Sequence, residues 1–330
     1  MNFFKKECHN GVEYRFDPLT NHQTRINPAR AKRLKHTASD TGNIKEWISK
    51  TEEKCPFCPE RINETTPSFP SDLCKEGRFK SGETLIFPNL NPFSQHHAVA
   101  TLSLKHYLAM DQFNEELLAQ NLKACRNYFL TVYQYDKNSR YPIYLWNYLP
   151  PSAGSIIHPH VQLMVESKPI PEQKKLLEKS KAYFKKTGKN YWYNLIETER
   201  NKSERYIAGV DNFHIITSYA PRGFREVTII VEGVNSFTDL DDHHIKNLSR
   251  SISKILKGYK SMGVGSFNIV SFSAGMDEKH PYYTLHFKII SRPYPQGIYT
   301  NDSGPFERFY DIWVIDTLPE EVARTLKYYF

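Results

Sequence analysis

The order of elements along this chain repeats, which restricts it to folds built from two like halves. Residues 83–93 and 96–104 read as strands. Residues 111–136 carry apolar positions at helical spacing, and 141–167 reads as two β-rich runs flanking a Pro/Ser/Gly turn. Strand pair, long helix and strand pair then return at 211–220, 225–233, 239–262, 265–275 and 282–293. Setting Phe87 against Phe213 places His160 against His286, because 73 residues separate the two positions in each half. His158 then faces Thr284 and Gln162 faces Lys288, so only the first half carries the polar set. Chemistry is expected there, with the second half supplying scaffold or part of the pocket.

The pattern predicts an α+β fold of two fused units with a mainly antiparallel sheet and helices packed on one face of it. The expected organisation is a polar, turn-rich segment at 1–80 packed on the first unit, a catalytic unit at 81–205 and a degenerate second unit at 206–330. Loops are expected to dominate the first 80 residues, which include a basic stretch at 25–35 and the proline-rich run 54–73.

With 39% hydrophobic and 14% aromatic residues, the chain can build a core and is not a disordered segment. The net charge of +8 favours anionic partners such as phosphate esters, nucleotides or nucleic acid without choosing among them. Five cysteines, of which only Cys55 and Cys58 are closely spaced, argue against a disulfide scaffold. No run approaches the roughly 18 apolar residues that a membrane helix needs. A cytoplasmic protein of a reducing compartment, with no membrane partner, is the expectation.

The run His158-Pro159-His160-Val161-Gln162 carries the chemistry. Side chains at i, i+2 and i+4 of a strand share one face, so His158, His160 and Gln162 would project together while Val161 and Leu163 face the core. Two imidazoles and an amide on one face need a polar network or a ligand to satisfy them. A neutral imidazole can attack the α-phosphorus of a nucleoside diphosphate derivative and split one hard displacement into two easier ones. His160 is the expected nucleophile, its other ring nitrogen held as a donor by a backbone carbonyl. Gln162 would donate its amide N–H to a non-bridging phosphate oxygen.

With that motif the chain resembles the galactose-1-phosphate uridylyltransferase branch of the histidine-triad superfamily, over nearly its whole length. The resemblance implies two fused histidine-triad-like units, a nucleotidylated His160 and a Gln162 standing where hydrolytic members carry a third histidine. Asn27-Pro28-Ala29-Arg30-Ala31-Lys32-Arg33 resembles the early basic motif of the family, which assigns phosphate contacts across a subunit interface to Arg30 and Arg33. Asn89, in Phe87-Pro88-Asn89-Leu90-Asn91-Pro92-Phe93, resembles a base- or ribose-contacting asparagine. Asn147 and Ser155 resemble phosphate-site residues. Taken alone, Arg30 and Arg33 also read as a solvated basic face.

Cys55-x-x-Cys58 has zinc-knuckle spacing but supplies two of the four ligands that structural zinc requires. The resemblance supplies the others, His106 and His158, for a Cys2His2 Zn2+ site tying the N-terminal loop to the catalytic strand. A redox pairing of Cys55 with Cys58 is the alternative. His96, His97, His243 and His244 read as surface histidines.

The implied activity is nucleotidyl transfer between a nucleoside-diphosphate sugar and a sugar 1-phosphate, as in galactose metabolism, by a homodimer. The family also contains ADP-sugar and dinucleoside polyphosphate phosphorylases that use orthophosphate as acceptor. The glutamine that binds the hexose phosphate in true uridylyltransferases has no recognisable counterpart near the C-terminus. A non-catalytic nucleotide- or nucleic-acid-binding protein on the same fold is the alternative of another class; its charge and aromatics fit, but binding alone has no use for a nucleophile beside a neutral amide.

Overall fold

The computed structural model describes residues 3–32, 44–295 and 301–330. The chain opens with β1 (Lys5–His9), β2 (Val12–Phe16) and β3 (Gln23–Ile26), followed by α1 (Ile44–Glu52) and the short α2 (Ile62–Thr65). The first unit comprises β4 (Phe79–Ser81), β5 (Thr84–Pro88), β6 (His96–Thr101), α3 (Glu115–Tyr135), β7 (Tyr141–Tyr148) and β8 (His160–Glu166). Two helices, α4 (Pro171–Thr187) and α5 (Tyr191–Lys202), lead to β9 (Tyr206–Val210), β10 (Phe213–Thr217), β11 (Phe224–Val231), α6 (Asp242–Ser261), β12 (Ser266–Phe272) and β13 (His286–Arg292). The chain closes with α7 (Pro305–Tyr310), β14 (Trp313–Ile315) and α8 (Pro319–Lys327).

A ten-stranded sheet runs β4-β5-β6-β8-β7-β12-β13-β11-β10-β9, an order that maps onto itself when the halves are exchanged. The units join where β7 pairs antiparallel with β12, through Asn147–Asn268 and Leu145–Val270. One face of this continuous sheet is apolar: Ala98, Ala100, Val161, Leu163, Trp146, Phe267, Phe287 and Ile289 are all fully buried. Helices α3 and α6 close that face, contributing Leu118, Leu122 and Phe129 from one and Leu248, Ile252 and Ile255 from the other to the same core. Asn114 caps α3 by accepting from the Leu117 N–H, and Asp241 caps α6 by accepting from the His244 N–H, so each helix starts where its apolar stripe begins.

Two expectations are corrected. Helices pack on both faces of the sheet, because Trp192 and Leu195 of α5 cluster with Ile216, Ile230 and Tyr283 on the face opposite α3 and α6. Of the described residues among the first 80, about half lie in strands and helices rather than loop, and they are not all packed on the first unit. Strands β1–β3 join β14, which pairs parallel with β3, in a separate four-stranded sheet. That sheet sits against the second unit: the His22 Nε2 lies 2.8 Å from the Ala220 carbonyl, Thr24 donates to the Pro221 carbonyl, and Arg15 makes a bidentate pair with Glu320. The cysteine loop packs on the first unit, with Phe57 against Phe87, as do Phe69, against Tyr128 of α3, and Thr51 of α1, against His106. Among the described residues no helix is long and apolar enough to cross a membrane.

Candidate functional site

Four buried donors converge at the edge of the first unit. One ligand atom from each of Cys55, Cys58, His106 and His158 lies within 4.8 Å of the others. The Cys58 Sγ is 3.5 Å from the His106 Nδ1 and 3.6 Å from the His158 Nδ1. The remaining imidazole nitrogens are committed elsewhere. The His158 Nε2 is 2.7 Å from the Ser103 carbonyl, so it carries the proton and Nδ1 keeps its lone pair. The His106 Nε2 lies 3.0 Å from the Thr51 hydroxyl, whose own hydrogen goes to the carbonyls of Trp47 and Ile48, so this imidazole is held in the same tautomer. Burial, followed by the neighbouring Cys55 sulfur, pushes the Cys58 thiol up to about 12, and burial lowers His158 to about 4. Two inward lone pairs and two buried sulfurs form a donor set that fits a tetrahedral metal such as zinc.

His158 lies just before β8, so the expected three-residue polar face divides: His158 turns to the cysteine loop, while His160 and Gln162 share the open face of the sheet. The loop between β7 and β8 brings them there by tight packing. At Gly154 a Cβ would come within 2.8 Å of the Asn147 carbonyl oxygen, so only glycine lets the loop cross so close to β7.

His160 is buried, with its Nδ1 2.7 Å from the carbonyl of His158. Nδ1 therefore donates to its own chain and Nε2 presents a lone pair. Burial lowers the pKa, partly offset by this backbone bond, which keeps the ring neutral around pH 7. The ring of Phe57 meets His160 edge-on at 5.2 Å, so the cysteine loop also walls His160.

Gln162 is oriented by a residue that sequence reasoning had placed on the surface. His97 is buried, and its Nε2 lies 3.0 Å from the Gln162 Oε1. The Phe93 N–H points at the other nitrogen, Nδ1, at 3.3 Å. A backbone N–H cannot be turned round, so Nδ1 accepts, Nε2 carries the proton, and the Gln162 Oε1 must be the acceptor. The amide NH2 of Gln162 is thereby left to face a ligand. Asn89 brings its Nδ2 to 3.2 Å from the same His97 nitrogen while its Oδ1 accepts from the Asn91 N–H, so its amide hydrogens also remain available. Alternation along β6 was the available signal, since it sets His97 on one face with Val99, which pairs with Gln162.

Asn147 is set one step beyond the Trp146–Val161 pair, next to His160. Its Oδ1 accepts from Asn268 at 2.6 Å, and the Asn268 Oδ1 in turn accepts from Arg292 at 2.9 Å, so the NH2 of Asn147 is the group left over. The second unit thus supports the first unit's site through Asn268 and Arg292. Ser155 and Arg30 are exposed, and no hydrogen bond or ion pair links either to His160 or Gln162. Arg33 lies outside the described residues. Of the other histidines, His243 is exposed and paired with Asp211, His244 is half-buried, and His96 pairs with Asp136.

No family model matches the chain. A protein of uncharacterized function from Archaeoglobus fulgidus is 32% identical over 320 residues, 96% of this chain and 92% of that protein. Among solved structures, an ADP-glucose phosphorylase from Arabidopsis thaliana superposes with a TM-score of 0.74 at 21% identity, covering 96% of this chain and 98% of its own. A galactose-1-phosphate uridylyltransferase-like protein from Arabidopsis thaliana gives 0.72 at 20% identity over 95% and 98%. A uridylyltransferase gives 0.70 at 19% over 96% and 97%. The chain therefore belongs to one family with the Archaeoglobus fulgidus protein, and its fold is that of the galactose-1-phosphate uridylyltransferase-like branch of the histidine-triad superfamily.

Proposed function

We propose that this protein is a nucleotidyltransferase that takes a nucleoside monophosphate from a nucleoside-diphosphate sugar onto His160 and passes it to a phosphate acceptor. One observation carries the reading: the His158 carbonyl holds the His160 Nδ1 proton, leaving a neutral Nε2 lone pair on the open face of the sheet beside Gln162. In the first step Nε2 bonds to the α-phosphorus, the bond from that phosphorus to the bridging oxygen breaks, and sugar 1-phosphate leaves. In the second, an acceptor phosphate oxygen attacks the phosphoramidate and the P–N bond breaks. The amides of Gln162 and Asn147 donate to the non-bridging oxygens as charge moves onto them. Asn89 contacts base or ribose, while Ser155, Arg30 and Arg33 contact phosphates, the arginines within a homodimer that completes each site.

Cys55, Cys58, His106 and His158 hold zinc, a structural ion that fixes the residue whose carbonyl orients the nucleophile. The acceptor is a sugar 1-phosphate in the first reading. A second reading, with orthophosphate as acceptor, is favoured by the missing counterpart of the hexose-phosphate glutamine.

Mass spectrometry of the intact protein, kept out of acid after incubation with UDP-glucose or ADP-glucose, tests the proposal. A nucleotidyl adduct mapping to His160 is expected, and its mass names the base. An adduct on another residue, or none with either donor, overturns the covalent mechanism; release of the adduct by galactose 1-phosphate or by orthophosphate decides the acceptor.

A further inference from the structure

Asn147 and Asn268 face each other across the junction of the two units, and a bond between two amides can run in either direction. If Asn147 donated to Asn268, its carbonyl oxygen would be left over beside His160, where it would repel the oxygens of a phosphate. If Asn147 accepts, its NH2 is left over and can bind them. Nothing within the pair makes this choice; groups outside it do. Arg292 lies two residues beyond Ile290, the partner of Asn268, so Asn147, Asn268 and Arg292 project from one face of the sheet. It is the face of His160, since Leu145, two residues before Asn147, pairs with Gln162.

The Arg292 Nη1 is 2.9 Å from the Asn268 Oδ1. A guanidinium donates and never accepts, so the Asn268 atom that meets it must be the oxygen. The Asn268 Nδ2 then turns the other way. It donates to the Asn147 Oδ1 at 2.6 Å and to the Ser152 carbonyl at 2.8 Å, which commits both of its hydrogens. The rest of the guanidinium is held in turn, because Nε and Nη2 reach the two carboxylate oxygens of Asp302 at 2.9 Å and 2.7 Å. Only 19% and 14% of these two side chains is accessible, and their fork-to-fork geometry fixes the direction in which Nη1 points. Asp302 lies just ahead of α7, outside both sheets. One carboxylate in the C-terminal stretch thus sets, through Arg292 and Asn268, which end of the Asn147 amide faces the site.

We propose that Arg292 and Asp302 are positioning residues that fix the Asn147 amide as a donor on the face carrying His160; their effect on transfer rests on the nucleotidyl-transfer reading.

The test joins two measurements on the whole protein and on variants whose folding is checked by thermal melting. The first is the rate of His160 labelling against the concentration of UDP-glucose or ADP-glucose. Arg292→Met keeps the aliphatic stem and removes the donors. It should lower the saturating rate about tenfold and change the half-saturating concentration little, because a misdirected amide matters most as charge moves onto the phosphate. Arg292→Lys, which can still donate to the Asn268 Oδ1, should recover part of the loss, and Asp302→Asn should cost less than Arg292→Met. Asn268→Asp is the sharper case. Its carboxylate still pairs with Arg292 but has no N–H to give, so the Asn147 NH2 turns toward it and labelling should fall as far as in Asn147→Ala. The second measurement is hydrogen exchange of the Asn268 side-chain NH2, followed by NMR on protein carrying isotopically labelled asparagine; Arg292→Met should speed it about tenfold. Wild-type saturating rates in Arg292→Met and Asn268→Asp overturn the proposal, as does equal loss in Arg292→Met and Arg292→Lys, or exchange that Arg292→Met leaves unchanged. A wild type that takes no label from either donor overturns the transfer reading instead, and the exchange measurement then still decides whether Arg292 directs the amides.

Discussion

His160 and His286 occupy the same place in their units, each the first residue of its strand and each with Nδ1 bonded to the carbonyl two residues earlier, at 2.7 Å and 3.0 Å. What separates them is their surroundings. His160 meets Phe57 edge-on and shares its face with Gln162, whereas His286 lies between the rings of Trp192 and Phe272, completely buried, its Nε2 without a partner. His160→Gly is expected to abolish both adduct formation and transfer, and His286→Leu to leave labelling at His160 intact. Labelling of His286, or transfer surviving in His160→Gly, would show that the two units have been assigned the wrong way round.

The bond from His97 to Gln162 predicts a positioning effect. His97→Ala frees the Gln162 amide to rotate, and should lower kcat roughly ten- to a hundredfold while changing KM little, because the lost orientation matters most when charge develops on the phosphate. His97→Gln, which can still donate to Oε1, should recover part of the loss. Equal loss in both variants with normal melting would remove the orienting role. A rise in KM at constant kcat would make His97 a binding residue.

Two buried cysteines and two imidazoles with inward lone pairs predict that purified protein contains one zinc ion per chain. Chelation, or Cys58→Ser, should remove the metal and lower the melting temperature, since the loop carrying Phe57 is tied to β8 through this cluster. Labelling of His160 should fall with it, because His158 supplies the carbonyl that holds the His160 Nδ1. Metal analysis before and after chelation is the measurement. Metal-free protein that melts and labels normally would leave Cys55 and Cys58 as a thiol pair.

The legible parts of the fold are those whose burial pattern is local. Helices α3 and α6 each bury one apolar stripe and burial alternates along β12 and β13, so periodicity exposed both units and their repeat, even though β10 and β11 are buried on both faces. Strand β1 is exposed at every position and carries no alternation to read. Helix α4 is strongly charged and buries only Gln173, Leu176 and Ser180, so its packing on the second unit left little trace in the pattern. Strand β14 becomes a strand only by pairing with β3, nearly 300 residues away in the chain. In the site, the His-Pro-His-x-Gln run announced itself, whereas the roles of His97 and Asn268 depend on the β6–β8 and β7–β12 registers, which no local pattern specifies.

The buried His286 also predicts how stability should depend on pH. Burial, the largest influence, lowers its pKa to about 3; the Thr284 carbonyl and Asp17 act in the opposite direction, and Lys288 adds to the lowering. The unfolded chain, with a value near 6.5, binds a proton on this ring that the folded chain refuses. The neutral ring's contribution is therefore complete above pH 6.5 and is lost progressively as the pH falls toward the folded value. Other buried histidines, among them His158 and His214, add slopes of the same sign, and acid release of a metal held by the cysteine loop would add another. These contributions are common to wild type and His286→Leu and cancel in the comparison, provided that neither alters the surroundings of the other. Leucine takes no proton, so the unfolding free energy of the variant should fall less steeply between about pH 6 and about pH 4, by up to roughly 1.4 kcal/mol per pH unit. Denaturant unfolding at each pH measures both slopes. Parallel slopes would mean that His286 titrates normally in the folded protein, and so that the Trp192–Phe272 sandwich opens to water.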